Sequence, residues 1–228
     1  MTSYGQYCPV AKAAELFCER WTPLLIRDLA GGASRFSELH RGVPMMSPTL
    51  LSRRLRQLEA EGVIERRGRA GQRGCTYRLT QSGQEFVRLV EGLGIWGQRW
   101  ARRQLAEHEL DIKLLMWDLE RGVRPRAFGA TRTVVRVEFL DQPAAKKFWW
   151  FVNEAGRAEL CVKDPGLDPD LYLASTLRDM IGVRRGDISL SQALASERLE
   201  VIGPRKLRNA LRAWLNLSPL TKIRSRLS

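Results

Sequence analysis

The chain has 228 residues, with 38 lysines and arginines against 25 aspartates and glutamates, so its formal charge is +13. This excess favours polyanionic partners such as nucleic acid or anionic lipid, although a generally basic proteome would give the same composition. The length allows one large domain or two small ones, and we expect two. No segment approaches the roughly 18 consecutive apolar residues of a membrane span, and residues 1–10 lack a signal sequence, so a cytoplasmic protein is expected.

The four cysteines argue against a disulfide framework or a zinc site. They form no CxxC pair and have few histidines nearby, which predicts reduced thiols and no metal. They are Cys8, Cys18, Cys75 and Cys161. We expect no cofactor.

Two helical patterns follow one another between residues 9 and 29. Val10, Ala14 and Phe17 share one face of the first, and Thr22 with Pro23 provides the N-cap and first residue of the second. Both patterns predict core helices. A short third helix is predicted over residues 36–40, and turn residues 42–44 end it.

A fourth helix is predicted to begin after Ser47, because serine is a good N-cap and proline, here Pro48, suits the first helical position. Its leucines recur at spacings of four and three and should face the core: Leu51, Leu55 and Leu58. The opposite face carries side chains of the kind that contact base edges and phosphates. They are Thr49, Ser52, Arg53 and Arg56. For this helix taken alone, a solvated face is the better interpretation.

The segment that follows favours a DNA-binding face over a solvated one, since it predicts a hairpin. Residues 62–67 predict a strand, residues 68–74 a loop rich in glycine and arginine, and residues 75–79 a returning strand. A helix followed by such a hairpin is typical of a winged helix-turn-helix. Four arginines could lie along a phosphate backbone or enter the minor groove. They are Arg66, Arg67, Arg69 and Arg73.

A long helix is predicted after its N-cap, Thr80. Its apolar residues alternate spacings of three and four, which is the pattern of a seam between two helices. The seam residues are Phe86, Leu89, Leu93, Trp96 and Trp100. Packing within the chain is the alternative, but a small N-terminal domain can hardly cover two tryptophans, and a protein that binds a pseudo-palindrome needs two copies. We therefore expect a homodimer.

Five segments together resemble the HxlR-type winged helix-turn-helix regulators. They are CPV at residues 8–10, ERWTPLL at 19–25, RFSEL at 35–39, LLSRRL at 50–55 and YRLT at 77–80. The resemblance covers residues 6–105 and implies a dimeric bacterial regulator of neighbouring genes, with the helix from Ser47 in the major groove. The wing departs from the family, whose members usually have a proline-bearing loop with fewer glycines. Some members sense oxidants or electrophiles through an N-terminal cysteine, so the resemblance makes Cys8 a candidate sensor; a structural cysteine is the alternative.

Beyond about residue 110 the pattern becomes mixed α and β. Val135, Val137 and Phe139 alternate with polar residues, as in a half-buried strand, and further strands are predicted at 148–152, 158–163 and 171–174. Helices then return. Ser189 and Gln192 form a capping box, and Pro204 opens a helix with a single apolar face: Leu207, Leu211 and Trp214.

Three segments of this half resemble the sterol-carrier-protein-2-like domain: DLYL at 170–173, GDISLSQAL at 186–194 and LEVIGP at 199–204. The resemblance spans residues 115–220 and implies a five-stranded sheet, backed by helices, around an apolar tunnel for an acyl chain, sterol or similar lipid. Residues 196–198 depart from the family, which usually has a glycine there. Candidate lining residues, for which core packing is the alternative, are Trp149, Trp150, Phe151, Leu173, Leu211 and Trp214.

The predicted fold class is α+β in two domains. Residues 1–108 would form the winged helix-turn-helix with its dimerisation helix, and residues 109–228 the sterol-carrier-like domain. The leading functional hypothesis is a dimeric regulator of duplex DNA whose operator affinity responds to a hydrophobic ligand. The alternatives are a lipid carrier or scaffold with a basic surface, and a thiol-based sensor. An enzyme is not expected, because neither His40 nor His108 lies near a nucleophile motif.

Overall fold

Short helices, a hairpin and one long helix make up the first half of the chain. The computed structural model describes residues 3–68 and 74–226. Its first helices are α1 (Pro9–Phe17), α2 (Thr22–Ala30), α3 (Phe36–Gly42) and α4 (Pro48–Ala60). Strands β1 (Ile64–Gly68) and β2 (Cys75–Leu79) form the hairpin, and α5 (Gln81–Trp100) follows.

The core of this half is apolar and lies between α2, α4 and the hairpin. Leu51, Leu55 and Leu58 of α4 are buried there, as the spacing predicts, beside Leu25 and Ile26 of α2. Two predicted caps are also present. The backbone N–H of Leu50 donates to Ser47 Oγ at 3.3 Å, and that of Gly83 donates to Thr80 Oγ1 at 3.2 Å, so α4 and α5 begin at the predicted positions.

The prediction that α1 is a core helix is wrong. None of its residues is buried, and Val10 is exposed. Phe17 alone gains an aromatic neighbour, since its ring meets that of Phe86 edge-on at 5.0 Å between centroids. The start of α2 also differs, because Trp21 takes the left-handed conformation with φ of 80° and serves as the N-cap, which leaves Thr22 buried inside the helix.

A mixed sheet and several helices form the second half. The helices are α6 (Ile112–Gly122), α7 (Ala144–Lys147), α8 (Leu177–Arg185), α9 (Leu190–Ala195) and α10 (Arg205–Leu215). The strands are β3 (Thr133–Phe139), β4 (Phe148–Glu154), β5 (Arg157–Cys161), β6 (Leu171–Ser175) and β7 (Leu199–Ile202). Short 3-10 turns lie at Glu107–Glu109, Pro125–Phe128 and Pro219–Lys222.

The five strands lie in the order β5-β4-β3-β6-β7, with β3 and β6 parallel and the other neighbours antiparallel. Alternate residues such as Val137 and Phe151 are buried on one face, where they join apolar side chains of the helices. Trp214 of α10 is fully buried in this cluster, and its Nε1–H donates to Asn153 Oδ1 at 2.7 Å. A five-stranded sheet with helices is therefore present, whereas the likeness to the sterol-carrier-like domain stays a prediction.

The chain divides into two compact units, residues 1–94 and 95–228. The end of α5 belongs to the second unit because its residues are hydrogen-bonded there: Gln98 Nε2 donates to the Arg185 carbonyl at 2.7 Å, and the Arg226 N–H to the Arg99 carbonyl at 2.8 Å. The division thus falls before the boundary predicted between residues 108 and 109, and where the functional domains divide stays a prediction. Within the described residues, no helix is both long and apolar enough to cross a membrane.

Candidate nucleic-acid interface

The outer face of α4 presents two arginines to solvent. Arg53 and Arg56 are exposed, three residues apart on the same side of the helix, while the leucine face lies in the core. Neither side chain forms a hydrogen bond or an ion pair with the described residues. Ser47 and Thr49 at the start of α4 are exposed beside them, and Ser52 is half-buried. The guanidinium groups are therefore free to bind an external acceptor.

Arg54, which lies between them in sequence, has a structural role instead. Its side chain is buried, forms an ion pair with Glu19 Oε2 at 2.6 Å, and donates to Gln57 Oε1 at 2.6 Å. This pair ties α4 to the segment between α1 and α2. The three arginines of α4 thus divide into two that face outward and one that fixes the helix.

The hairpin after α4 has the geometry of a wing. β1 and β2 pair antiparallel from Ile64 opposite Leu79 to Gly68 opposite Cys75. Arg66 and Arg67 are exposed on β1, and Arg67 forms an ion pair with Glu65 at 2.6 Å. Arg69 and Arg73, the other two predicted wing contacts, lie outside the described residues.

A polar pair, Cys75 and Tyr77, lies beside Arg66 in the loop-side half of the hairpin. The Cys75 thiol donates to the Tyr77 hydroxyl oxygen at 3.5 Å. A hydrogen bond from the Tyr77 hydroxyl to the ionised Cys75 Sγ lowers the pKa of Cys75, as does the nearby Arg66 charge, while burial raises the pKa of Tyr77 to about 12. Arg66 therefore has the Cys75 thiol beside it, whereas Arg53 and Arg56 of α4 are unpaired among the described residues.

Two further arginines beside the wing were not predicted. Arg35 and Arg78 are exposed and line a groove of about 970 Å³ between the start of α3 and the hairpin. The wing is fixed to this segment because the Tyr77 N–H donates to the Ser34 carbonyl at 2.7 Å. The exposure of Arg78 could have been predicted from the sequence, because it alternates with the buried Tyr77 along β2. The position of Arg35 could not, since it depends on the isolated bridge to Thr76.

The predicted seam of α5 is an exposed apolar row. Leu89 is 54% exposed and Trp96 is 57% exposed, and Leu93 and Trp100 are exposed as well. Phe86, at the start of the row, is half-buried because it packs against Phe17. Large apolar side chains in such a row on one helix are typical of a surface that another protein covers.

The comparisons with known proteins concern the half of the chain that carries α4 and the wing. Residues 16–105 match the family of the HxlR-like helix-turn-helix. The chain is also 33% identical over 99 residues to the HTH-type transcriptional regulator YvaP of Bacillus subtilis, across 42% of this chain and 91% of that protein. The chain belongs to the HxlR-like helix-turn-helix family.

Further relatives match a similar share of this HxlR-like chain. The HTH-type transcriptional regulator Rv3095 of Mycobacterium tuberculosis is 36% identical over 95 residues, which are 41% of this chain and 60% of that protein. Among solved structures, the reduced form of the transcriptional regulator YodB from B. subtilis is 28% identical with a TM-score of 0.37, over 45% of this chain and 98% of that one. The family match ends at residue 105, so it describes the first unit and the adjoining residues only.

Cys8 occupies the N-cap position of α1 in this HxlR-like chain and is half-buried. The backbone N–H groups of Ala11 and Val10, at the start of the helix, favour the thiolate and lower the pKa of its thiol. Cys161 of β5 shows the opposite effect, because burial raises its pKa. The two cysteines therefore differ in the direction in which the fold shifts their ionisation.

The six candidate pocket residues of the second unit are not brought together around one cavity. Trp149, Phe151, Leu173 and Trp214 fill the core between sheet and helices, and Trp150 is buried beside Phe148. Leu211 is buried too, and it also lines a groove of about 750 Å³ at α9, β7 and α10. Other apolar residues of that groove are Leu194, Leu199 and Val201. A ligand role for the six residues stays a prediction.

Proposed function

We propose that the chain is a dimeric transcriptional regulator that binds a pseudo-palindromic operator in duplex DNA through α4 and the basic wing. The observation that carries the proposal is the pair of exposed arginines on the outer face of α4, which are unpaired among the described residues, while the inner face of the helix is fixed in the core. Guanidinium groups on such a helix can bind guanine O6 and N7 in the major groove. The names of the relatives, as transcriptional regulators, support the same function.

Selection of genomic DNA fragments by the full chain tests this function. The expected product is a set of fragments that share two half-sites in inverted repeat, about one helical turn or a multiple apart, because symmetry-related helices must enter the same face of the duplex. Gel-shift titration at fixed salt then gives the specificity ratio over random DNA. Equal affinity for selected and random fragments contradicts the proposal.

A hydrophobic ligand in the second unit is the proposed modulator of operator affinity. The groove at α9, β7 and α10 has a volume of about 750 Å³, within the range of about 300–1,000 Å³ that small-molecule sites occupy. Leu199, Val201 and Leu211 line it together with charged residues, which include Arg205 and Arg208. Titration with palmitate is expected to quench tryptophan fluorescence, and saturation should shift operator affinity about 5- to 150-fold. Binding without such a shift rules out the regulatory role, because a ligand with equal affinity for two states shifts neither.

Thiol-based sensing through Cys8 is a second candidate function, favoured by the lowered pKa of its thiol. The thiolate is the reactive form, so Cys8 should be alkylated by iodoacetamide with a midpoint at lower pH in the folded chain than in urea. Peptide mass mapping resolves each cysteine, and Cys161 should shift in the opposite direction because burial raises its pKa. A Cys8 midpoint that is equal or higher in the folded chain contradicts the sensor role.

A further inference from the structure

Helix α10 carries a row of cations on its solvent face. Arg205, Arg208 and Arg212 are exposed and, at 100° per residue, fall within an arc of about 60° and a length of about 10 Å. Lys206 is exposed beside them. The opposite face of the helix is anchored, since Trp214 is fully buried in the core of the second unit. We call Arg205, Arg208 and Arg212 the cationic row.

Within the part of the chain that the structure describes, no ion pair neutralises the charge of the cationic row. Some other arginines of the second unit are paired: Arg184 contacts Asp118 at 2.7 Å, and Arg185 contacts Asp187 at 3.3 Å. The cationic row and Lys206, by contrast, form no hydrogen bond or ion pair with any described residue. Glu197 and Glu200 line the same groove as Arg205 and Arg208 without pairing with them.

We propose that the cationic row binds the phosphate backbone of duplex DNA and gives the second unit its own DNA-binding surface. The inference rests on the proposed function, which makes duplex DNA a ligand of this chain. Guanidinium groups match phosphate geometry, and a row of about 10 Å spans about three base pairs along the duplex axis. Such contacts carry no sequence information and add affinity that depends on salt.

A membrane surface fits the cationic row less well. A helix that lies in a lipid interface inserts its apolar face among the acyl chains. In α10 that face is occupied, because Leu211, Trp214 and Leu215 are buried against the sheet and helices of the unit. The surface that remains accessible is polar and cationic, which suits a polyanion in solution.

The salt dependence of DNA binding tests the cationic row. The variant is full-length protein with Arg205→Gln, Arg208→Gln and Arg212→Gln, and its control carries Arg124→Gln, Arg132→Gln and Arg157→Gln. All six arginines are exposed and unpaired in the described residues, so both variants lose the same charge. On a 40-base-pair duplex without operator, the slope of log affinity against log salt should fall by about 2 to 3 per protomer in the variant, since each phosphate contact contributes about 0.9. The control slope should change by less than one.

The outcomes separate this inference from the proposed function. Equal slopes for the variant and its control overturn the cationic row as a DNA-binding surface. Loss of binding to phosphatidylglycerol vesicles with an unchanged DNA slope also overturns it, in favour of lipid. Failure of the wild-type chain to prefer any selected operator contradicts the proposed function instead, and the slope on non-operator duplex still measures the row. Thermal unfolding of both variants should match wild type, because all six side chains are exposed.

Discussion

Full-length protein carrying Arg53→Ala and Arg56→Ala is expected to lose about 2 to 6 kcal/mol of specific binding free energy. Each bidentate contact to guanine discriminates by about 1 to 3 kcal/mol, and both guanidinium groups are free to make one. The dissociation constant for the selected operator should therefore rise by at least about 30-fold. Gel-shift titration at constant salt measures it, and thermal unfolding should not change because both side chains are exposed and unpaired.

Loss of charge alone must be separated from loss of contacts. A control with Arg132→Ala and Arg157→Ala removes two exposed, unpaired arginines outside the first unit. It should keep the specificity ratio of wild type. If the α4 variant also kept wild-type affinity and specificity, α4 would not be the recognition helix.

The orientation of α4 could be predicted because the apolar residues of an amphipathic helix recur with the period of the helix. Leu51, Leu55 and Leu58 recur at spacings of four and three, and all three are buried. That burial leaves Arg53 and Arg56 on the outer face. The start of the helix was predictable for an equally local reason, since Ser47 caps it through its own side chain.

The roles of single arginines depend on contacts that the pattern does not contain. Arg54 lies inside α4 and is adjacent to Arg53 in sequence, yet its partner is Glu19, far away in the chain. On the wing, Arg67 is paired with Glu65 and Arg66 lies beside Cys75. The sequence alone predicts the same role for all of these arginines. It cannot separate them, because side-chain pairing across strands and between helices is set by tertiary packing.

Apolar periodicity also does not show whether another part of the protein covers the apolar face of a helix or strand. Val10 in α1 has the spacing of a core residue and is exposed, whereas Leu25 in α2 is fully buried. In the second unit, Trp149 and Trp214 have the spacing expected of either a pocket wall or a core, and the fold places both in the core. Helix α6 was missed although Asp111 caps it, accepting from Lys113 N–H at 2.8 Å, and an apolar face follows.

Replacing Leu93 and Trp96 with alanine is expected to convert a dimer into a monomer. Both side chains are exposed on α5. A tryptophan at the centre of an interface contributes about 2 kcal/mol or more to association, and burial of a leucine side chain contributes about 1.5 to 3 kcal/mol. Removing both should raise the dimer dissociation constant by well over about 100-fold. Light scattering at micromolar concentration should then give the mass of one chain, 26.0 kDa, instead of twice that mass for wild type.

The matched control removes apolar side chains that are equally exposed but belong to other parts of the chain than α5. Val162→Ala with Ile202→Ala fits, since both residues are exposed in the second unit. This control should remain a dimer, because lost hydrophobicity matters only where the surface is covered by a partner. The α5 variant should also lose operator affinity, since one protomer occupies one half-site at a time. A wild-type monomer, or a variant that keeps the dimer mass, would contradict the seam and leave the exposed row of α5 without a partner chain.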